Sequence, residues 1–111
     1  MTQSKDLLWK LGIRSTYKGY RQMAAALASV RENEDYLFSV TKILYPDVAK
    51  EFHTNPASIE RNFRTVIDVC WEDGNRELLN EIAGYHLHAR PTTKQFIDIL
   101  ASYMRRSQAD G

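Results

Sequence analysis

Apolar residues recur every three or four positions along most of this chain, in segments separated by glycine or proline. Such spacing places a single apolar stripe along each segment when the segment is helical. Sustained alternation of apolar and polar residues, which would indicate strands, is absent apart from a short stretch at 85–89. The pattern therefore predicts an all-α fold, a compact bundle of about six to seven helices around one core.

Local signals predict where the helices begin and end. Ser4 is typical of a helix start and Gly12 of a helix end, while Asn55 followed by Pro56 reads as a capping residue and the first helical position. Proline also disfavours helical geometry in the preceding residue, so Tyr45 is expected to end a helix. The predicted helices are about 4–11, 15 or 16 to 31, 35–44, 46–52, 56–73, 76–83 and 93–106.

The apolar stripes also predict which side chains are buried. Aromatic residues at helical spacing are included, because they usually pack against a core. The predicted buried residues are Ile59, Phe63 and Ile67, then Phe96, Ile97, Leu100 and Met104, with Trp9, Tyr17, Tyr20 and Trp71 in the core or half-buried.

Composition is that of one globular domain. The 111 residues are 43% hydrophobic and 26% charged, which suffices for one core and not for two. No apolar run approaches the roughly 20 residues that cross a bilayer, and charged residues interrupt the start, unlike a signal peptide. A single cysteine, Cys70, cannot form an internal disulfide, which favours a reducing compartment. We expect one domain over residues 1–111, located in the cytoplasm.

The stretch 46–71 has the layout of a helix-turn-helix unit: a short helix, a turn at 53–55 and a longer amphipathic helix. Ala49 is a small residue where the two helices must cross closely. Val48, Phe52 and Ile59 can close the small core between them. The second helix then exposes Ser58, Glu60, Arg61, Arg64 and Thr65.

These exposed side chains suit the reading of DNA bases. Arginine can donate two parallel hydrogen bonds to guanine, and glutamate can accept one from cytosine. Arg61 and Arg64 are three residues apart, so they project from one helix face. The N–H groups at the helix start suit a phosphate. The same residues are also typical of a solvated helix face, and a net charge of +1 does not indicate nucleic acid, so the pattern leaves both readings open.

Three stretches carry a family resemblance. SVTKILYPDVAKEFHTNPASIERNFRTVIDVCWEDGN, residues 39–75, closely resembles the C-terminal effector domain of the master response regulator of endospore formation. KGYRQMAAALASV (18–30) and RPTTKQFI (90–97) look like the second and last helical regions of that domain. The resemblance implies a cytoplasmic, nucleoid-associated transcription regulator that binds double-stranded DNA at short TGTCGAA-type boxes, often in tandem, and contacts RNA polymerase, through its sigma subunit.

The resemblance also implies roles for single residues. Glu60 and Arg61 match the base-contacting Glu-Arg pair of the family's recognition helix, and Arg64 matches a basic position one turn further on. Thr54 and Asn55 lie at the turn, where family members approach phosphates.

Two departures from the family pattern stand out. Ser58 occupies a position where the family usually has a base-contacting arginine. A serine cannot donate the two parallel hydrogen bonds that arginine gives to guanine. This difference puts the box preference or the affinity in question. The family's regulators also carry an N-terminal receiver domain, for which 111 residues leave no room. The chain is therefore expected to be a free-standing effector domain or a fragment of a longer regulator.

The residues give little support for a metal site or an enzyme active site. Cys70, His86 and His88 lack the paired short spacings of a structural zinc site, so we expect no metal. Arg90, beside Pro91, is a better candidate for a phosphate contact. The chain has no nucleophile with an adjacent base and no glycine-rich phosphate loop, so we expect neither an enzyme nor a cofactor.

The rival interpretation is a protein-interaction module, which titrates a full-length regulator or grips RNA polymerase without reading DNA well. Ser58 and the low net charge favour it, whereas Glu60, Arg61 and Arg64 oppose it. For the DNA reader we expect a monomer in solution that pairs on tandem boxes through the outer face of its last helix, formed by Lys94, Gln95, Asp98 and Ser102.

Overall fold

A computed structural model describes residues 2–110, including the side chains of residues 3–107. Every regular element in that range is helical, which confirms the all-α prediction. Met1 and Gly111, which the predicted domain includes, lie outside the described residues. The α-helices are Thr2–Lys10 (α1), Lys18–Glu32 (α2), Tyr45–Glu51 (α3), Pro56–Glu72 (α4), Arg76–Ala83 (α5) and Thr93–Asp110 (α6), with a 3₁₀ helix at Glu34–Phe38 and a π-helical turn at Val40–Leu44.

Helix α2 lies at the centre of the bundle, where it packs against α1, α4 and α6. Helix α3 packs on α4, and α5 packs on α6. One apolar core joins these elements, and every α-helix except α3 contributes a large side chain without exposed surface. The largest fully buried side chains, from these helices and the segments between them, are Leu8, Leu11, Ile13, Met23, Leu27, Leu44, Ile59, Phe63, Ile67, Leu79, Phe96 and Ile97.

A glycine sets the crossing of α2 and α4. A Cβ atom on Gly19 would lie 2.6 Å from the Asn62 carbonyl oxygen and 2.6 Å from Cγ2 of Val66, so the two backbones meet without an intervening side chain. Beside this contact, the Asn62 amide donates to Oε1 of Gln22 at 3.0 Å. The crossing seats α4 firmly against the core and leaves its opposite side exposed.

Several predicted helix ends are shifted in the structure. Ser4 does not cap α1, because the helix begins at Thr2 and the buried Ser4 hydroxyl donates to the sulfur of Met104 at 3.6 Å. The start of α2 is Lys18 rather than Ser15 or Thr16, since residues 14–17 form a turn. Helix α6 continues past Arg106 to Asp110. The predicted helix 76–83 is confirmed with the same bounds.

The predicted α-helix at 35–44 is wrong. The segment divides at Ser39 into the 3₁₀ helix and the π-helical turn, and the Asn33 side chain starts the first by accepting from the Asp35 amide at 3.0 Å. Leu44 is buried, whereas 47% of the Ile43 surface is exposed. Tyr45 does not end a helix either, because it adopts α geometry at the start of α3 with its ring buried.

Tertiary contacts also decide which aromatic side chains are buried. Tyr20 is buried and its hydroxyl donates to the Lys5 carbonyl oxygen at 2.8 Å, and Trp71 is half-buried, as predicted. Trp9 and Tyr17 are 68% and 37% exposed, so the packing prediction is wrong for these two. No helix within residues 2–110 has the length and apolar character that crossing a bilayer requires.

Candidate nucleic-acid interface

The turn between α3 and α4 is a Schellman motif, in which two backbone hydrogen bonds close the end of a helix. The His53 amide donates to the Lys50 carbonyl oxygen at 3.3 Å, and the Thr54 amide donates to that of Ala49 at 2.9 Å. His53 has a φ of 56°, in the left-handed region that usually favours glycine. Histidine is among the residues that enter this region more readily than most. The turn therefore forms without the glycine that many such turns carry.

Helix α4 begins as the sequence predicts. The Asn55 side chain accepts a hydrogen bond from the Ser58 amide at 2.9 Å, and Pro56 occupies the first turn, where its missing N–H costs nothing. This cap holds the start of α4, and the exposed Thr54 and Asn55 beside it, at the edge of the polar helix face.

The inner side of the α3–α4 unit is closed. Val48, Ala49 and Ile59 retain at most 2% of their surface, and Phe52 packs partly against them. Further along, the rings of Tyr45 and Phe63 meet edge to face, with centroids 5.8 Å apart. The buried stripe predicted for α4 is confirmed, because Ile59, Phe63 and Ile67 have no exposed surface.

The outer side of α4 carries the polar residues that we call the reading face: Ser58, Glu60, Arg61, Arg64 and Thr65. Ser58 and Glu60 are half-exposed, and the other three are exposed. The Arg64 and Glu60 side chains keep 64% and 47% of their accessible surface. The structure therefore brings these predicted site residues together on one solvent-facing side of one helix.

Hydrogen bonds within α4 orient both arginines of the reading face. Arg64 Nη2 donates to Glu60 Oε2 at 2.9 Å, one turn earlier, and Arg61 Nη2 donates to Ser58 Oγ at 3.2 Å. Exposed pairs of this kind stabilise a protein by about 1 kcal/mol or less. The arginines are thus held along the helix surface and can exchange these partners for a ligand at small cost.

The start of α6 lies against the middle of this unit. Thr92 and Gln95 form a capping box: the Gln95 amide donates to Thr92 Oγ1 at 3.1 Å, and the Thr92 amide donates to Gln95 Oε1 at 2.8 Å. The Tyr45 hydroxyl faces Thr93. Burial raises the pKa of Tyr45, and the hydrogen bond with Thr93 works in the opposite direction.

Arg90, the predicted phosphate ligand, lies beside the reading face with its nitrogens already engaged. Nε donates to Oδ1 of Asp68, Nη2 to the Arg64 carbonyl oxygen at 3.2 Å, and Nη1 to the Pro91 carbonyl oxygen at 3.2 Å. Sequence reasoning missed Asp68. Its position one turn after Arg64 was a signal that it shares the exposed side of α4.

The residues considered for a metal lie in two different environments. Cys70 is buried, and burial raises the pKa of its thiol to about 11. His86 and His88 are exposed in the loop before α6, with ring centroids 5.1 Å apart. Among the side chains that the structure describes, no group of three or more histidine, cysteine or acidic residues is arranged to hold a metal ion.

A comparison with known protein families places most of the chain in a described family. The family described as "Sporulation initiation factor Spo0A C terminal" matches residues 4–104. The matched range includes α3, the turn, all of α4 and the loop that carries Arg90.

Proposed function

Because this chain belongs to the Spo0A C-terminal family of sporulation-related DNA-binding domains, we propose that it regulates transcription by reading TGTCGAA-type boxes in the major groove with α4. The family is a regulatory DNA-binding family rather than a known enzyme family. The observation that carries the proposal is the reading face: two exposed arginines and a glutamate stand on one side of a helix whose other side is fixed in the core.

Five polar residues of the unit have a proposed role. Arg61 donates two parallel hydrogen bonds to guanine, and Glu60 accepts a hydrogen bond from cytosine. Arg64 contacts a base or a phosphate. Thr54 and Asn55, exposed at the start of α4, approach the DNA backbone. On this proposal the protein acts at the nucleoid, as one domain, and the RNA polymerase sigma subunit is its protein partner.

A gel-shift titration tests the proposal. A TGTCGAA-type duplex and a scrambled duplex of the same composition are compared at several stated salt concentrations, because phosphate contacts make all affinities salt-dependent. We expect the box to bind more tightly than the scrambled duplex at every salt concentration. Equal affinity for both duplexes would contradict sequence-specific reading.

Ser58→Arg is expected to tighten binding to the box by about 1–3 kcal/mol, because a bidentate contact with guanine becomes available. Ser58→Lys is the matched control, since lysine adds the same charge without the planar fork. Titration of both variants against box and scrambled duplexes measures the effect. A neutral or weakening effect of arginine would mean that this protein reads a different site or places α4 differently in the groove.

The free protein is expected to be a monomer at micromolar concentration and to pair on DNA. Two boxes one helical turn apart hold two copies on one side of the duplex, so small contacts suffice. We propose the outer face of α6 for this contact, through Lys94, Gln95, Asp98 and Ser102. Sedimentation of the free protein and titration of one-box and two-box duplexes test it, with boxes half a turn out of phase as the control. A stable dimer without DNA, or two-box binding no tighter per site, would contradict pairing on DNA.

One observation favours the interaction module as a second candidate. Phe38 is 80% exposed beside a cleft of about 340 Å³ at the start of α6, and such a side chain suits a protein partner. On this interpretation the domain binds RNA polymerase or titrates a full-length regulator, and Ser58 weakens its recognition of DNA bases. The gel shift separates the two candidates, because the module predicts no preference for the box at any salt concentration.

A further inference from the structure

One guanidinium group ties the last loop of the protein to the middle of α4. Arg90 binds the Asp68 carboxylate and the Arg64 carbonyl oxygen, residues 22 and 26 positions away in sequence. The two acceptors belong to residues one helical turn apart, and the Arg64 carbonyl points along the helix towards Asp68, so one planar guanidinium reaches both. The Arg90 side chain keeps 31% of its accessible surface, and Pro91 behind it is buried. The contact therefore connects the loop and the helix at a partly buried site.

The Asp68 carboxylate lies on the side of α4 that carries the arginines. Asp68 is four residues after Arg64 and seven after Arg61, and these spacings return to the same helix face. Its side chain is 56% exposed. A free carboxylate there would repel DNA phosphates, and the Arg90 guanidinium neutralises it.

We propose that Arg90 is a positioning residue of the DNA-binding surface, which acts through Asp68 and the backbone of α4 rather than by contacting phosphate. The inference rests on the proposed function, because it assigns α4 as the reading helix. Three of the five N–H donors of Arg90 are used within the protein, two of them on α4, so the orientation of the guanidinium is set by the protein itself. Arginine suits this role because its fork reaches two acceptors at once, which the single ammonium of lysine does not.

Arg90→Lys separates positioning from phosphate contact. Lysine keeps the charge and can still bind a phosphate as a point charge, but it cannot hold Asp68 and the Arg64 carbonyl oxygen together. We expect the ratio of box affinity to scrambled-duplex affinity to fall about fivefold. Arg106→Lys is the matched control, because Arg106 donates to the Ile82 carbonyl oxygen at 3.1 Å, away from α4, and should leave the ratio unchanged. A wild-type ratio in Arg90→Lys would overturn the proposal.

The salt dependence of binding provides a second readout, which separates positioning from a phosphate contact. The double variant Arg90→Gln with Asp68→Asn removes one positive and one negative charge together. Positioning predicts the same slope of log K against log salt as in the wild type. A phosphate contact predicts a slope that is flatter by about 0.9, and that result would overturn the proposal.

Unfolding of the free protein tests the Arg90–Asp68 contact in the absence of DNA. Either Arg90→Ala or Asp68→Ala breaks the contact, so the shifts in urea midpoint of the two single variants should exceed in sum the shift of the double variant. Additive shifts would overturn the proposal even if the wild type reads the box. If the wild type binds box and scrambled duplexes equally, the proposed function fails while the coupling still decides whether Arg90 holds α4 through Asp68.

Discussion

Phe63→Ala is expected to lower the free energy of unfolding by about 3–5 kcal/mol. The Phe63 ring has no exposed surface and meets the Tyr45 ring edge to face, where the start of α3 packs on the middle of α4. Removing the ring forfeits its burial and leaves a cavity that both helices must tolerate. A domain of this size is stable by roughly 5–15 kcal/mol, so the variant should be close to unfolding. Urea titration followed by far-ultraviolet circular dichroism measures the loss.

Phe38→Ala is the matched control, since the same atoms are removed from a ring that is 80% exposed. Its unfolding free energy should lie within about 0.5 kcal/mol of the wild type. A loss below about 1 kcal/mol in Phe63→Ala, with unchanged cooperativity, would place Phe63 on the surface. That outcome would also contradict the position of the reading face, because the exposed side of α4 is the side opposite Phe63.

Helix ends that depend on neighbouring residues are predictable from this sequence. Asn55 caps α4 through its own side chain, and Gly84 ends α5 with a φ of 84°, which glycine adopts without a steric penalty. Both signals act within a few residues of the chain. For the same reason the sequence predicts the turn at 53–55, even though His53 stands where many such turns carry glycine.

Features that depend on contacts distant in sequence were not predictable. Ser4 is typical of a helix cap, but its hydroxyl donates to the sulfur of Met104, one hundred positions away. The spacing at 35–44 is typical of one α-helix, yet the segment is divided, and the Tyr45 ring that follows it is buried beside Phe63, eighteen positions away. Trp9 is an aromatic residue of α1 and is nevertheless 68% exposed, because it lies off the stripe that Leu8 and Leu11 form at helical spacing.

The candidate site contains features of both kinds, some set by the local sequence and some by contacts distant in sequence. The apolar stripe of α4 fixes which side of the helix is exposed, and so predicts that Glu60, Arg61 and Arg64 share it. The pairing of Arg90 with Asp68 joins residues 22 positions apart, and no local pattern contains it. A sequence can therefore indicate which side chains are available to DNA, whereas the structure is needed to see which of them already have partners.

Arg61→Ala is expected to weaken binding to the TGTCGAA-type box by about 1–3 kcal/mol and to relax specificity at one base pair. Arg61 is exposed on the reading face, and its guanidinium is held at 3.2 Å by the Ser58 hydroxyl, a partner that costs little to exchange for guanine. Because the side chain is exposed, the free energy of unfolding should not change, and the loss can be assigned to binding. Titration of boxes with single base-pair substitutions measures both effects.

Arg61→Lys is the control that separates base reading from charge. Lysine can still contact a phosphate, but it cannot give two parallel hydrogen bonds to O6 and N7 of guanine. If Arg61 reads a base, lysine should lose most of the specificity that alanine loses while keeping the salt dependence of the wild type. If instead Arg61 contacts phosphate, lysine should bind as the wild type does, and alanine should flatten the slope of log K against log salt by about 0.9 without changing base preference. Wild-type affinity of Arg61→Ala for the box would place the recognition surface elsewhere on the domain.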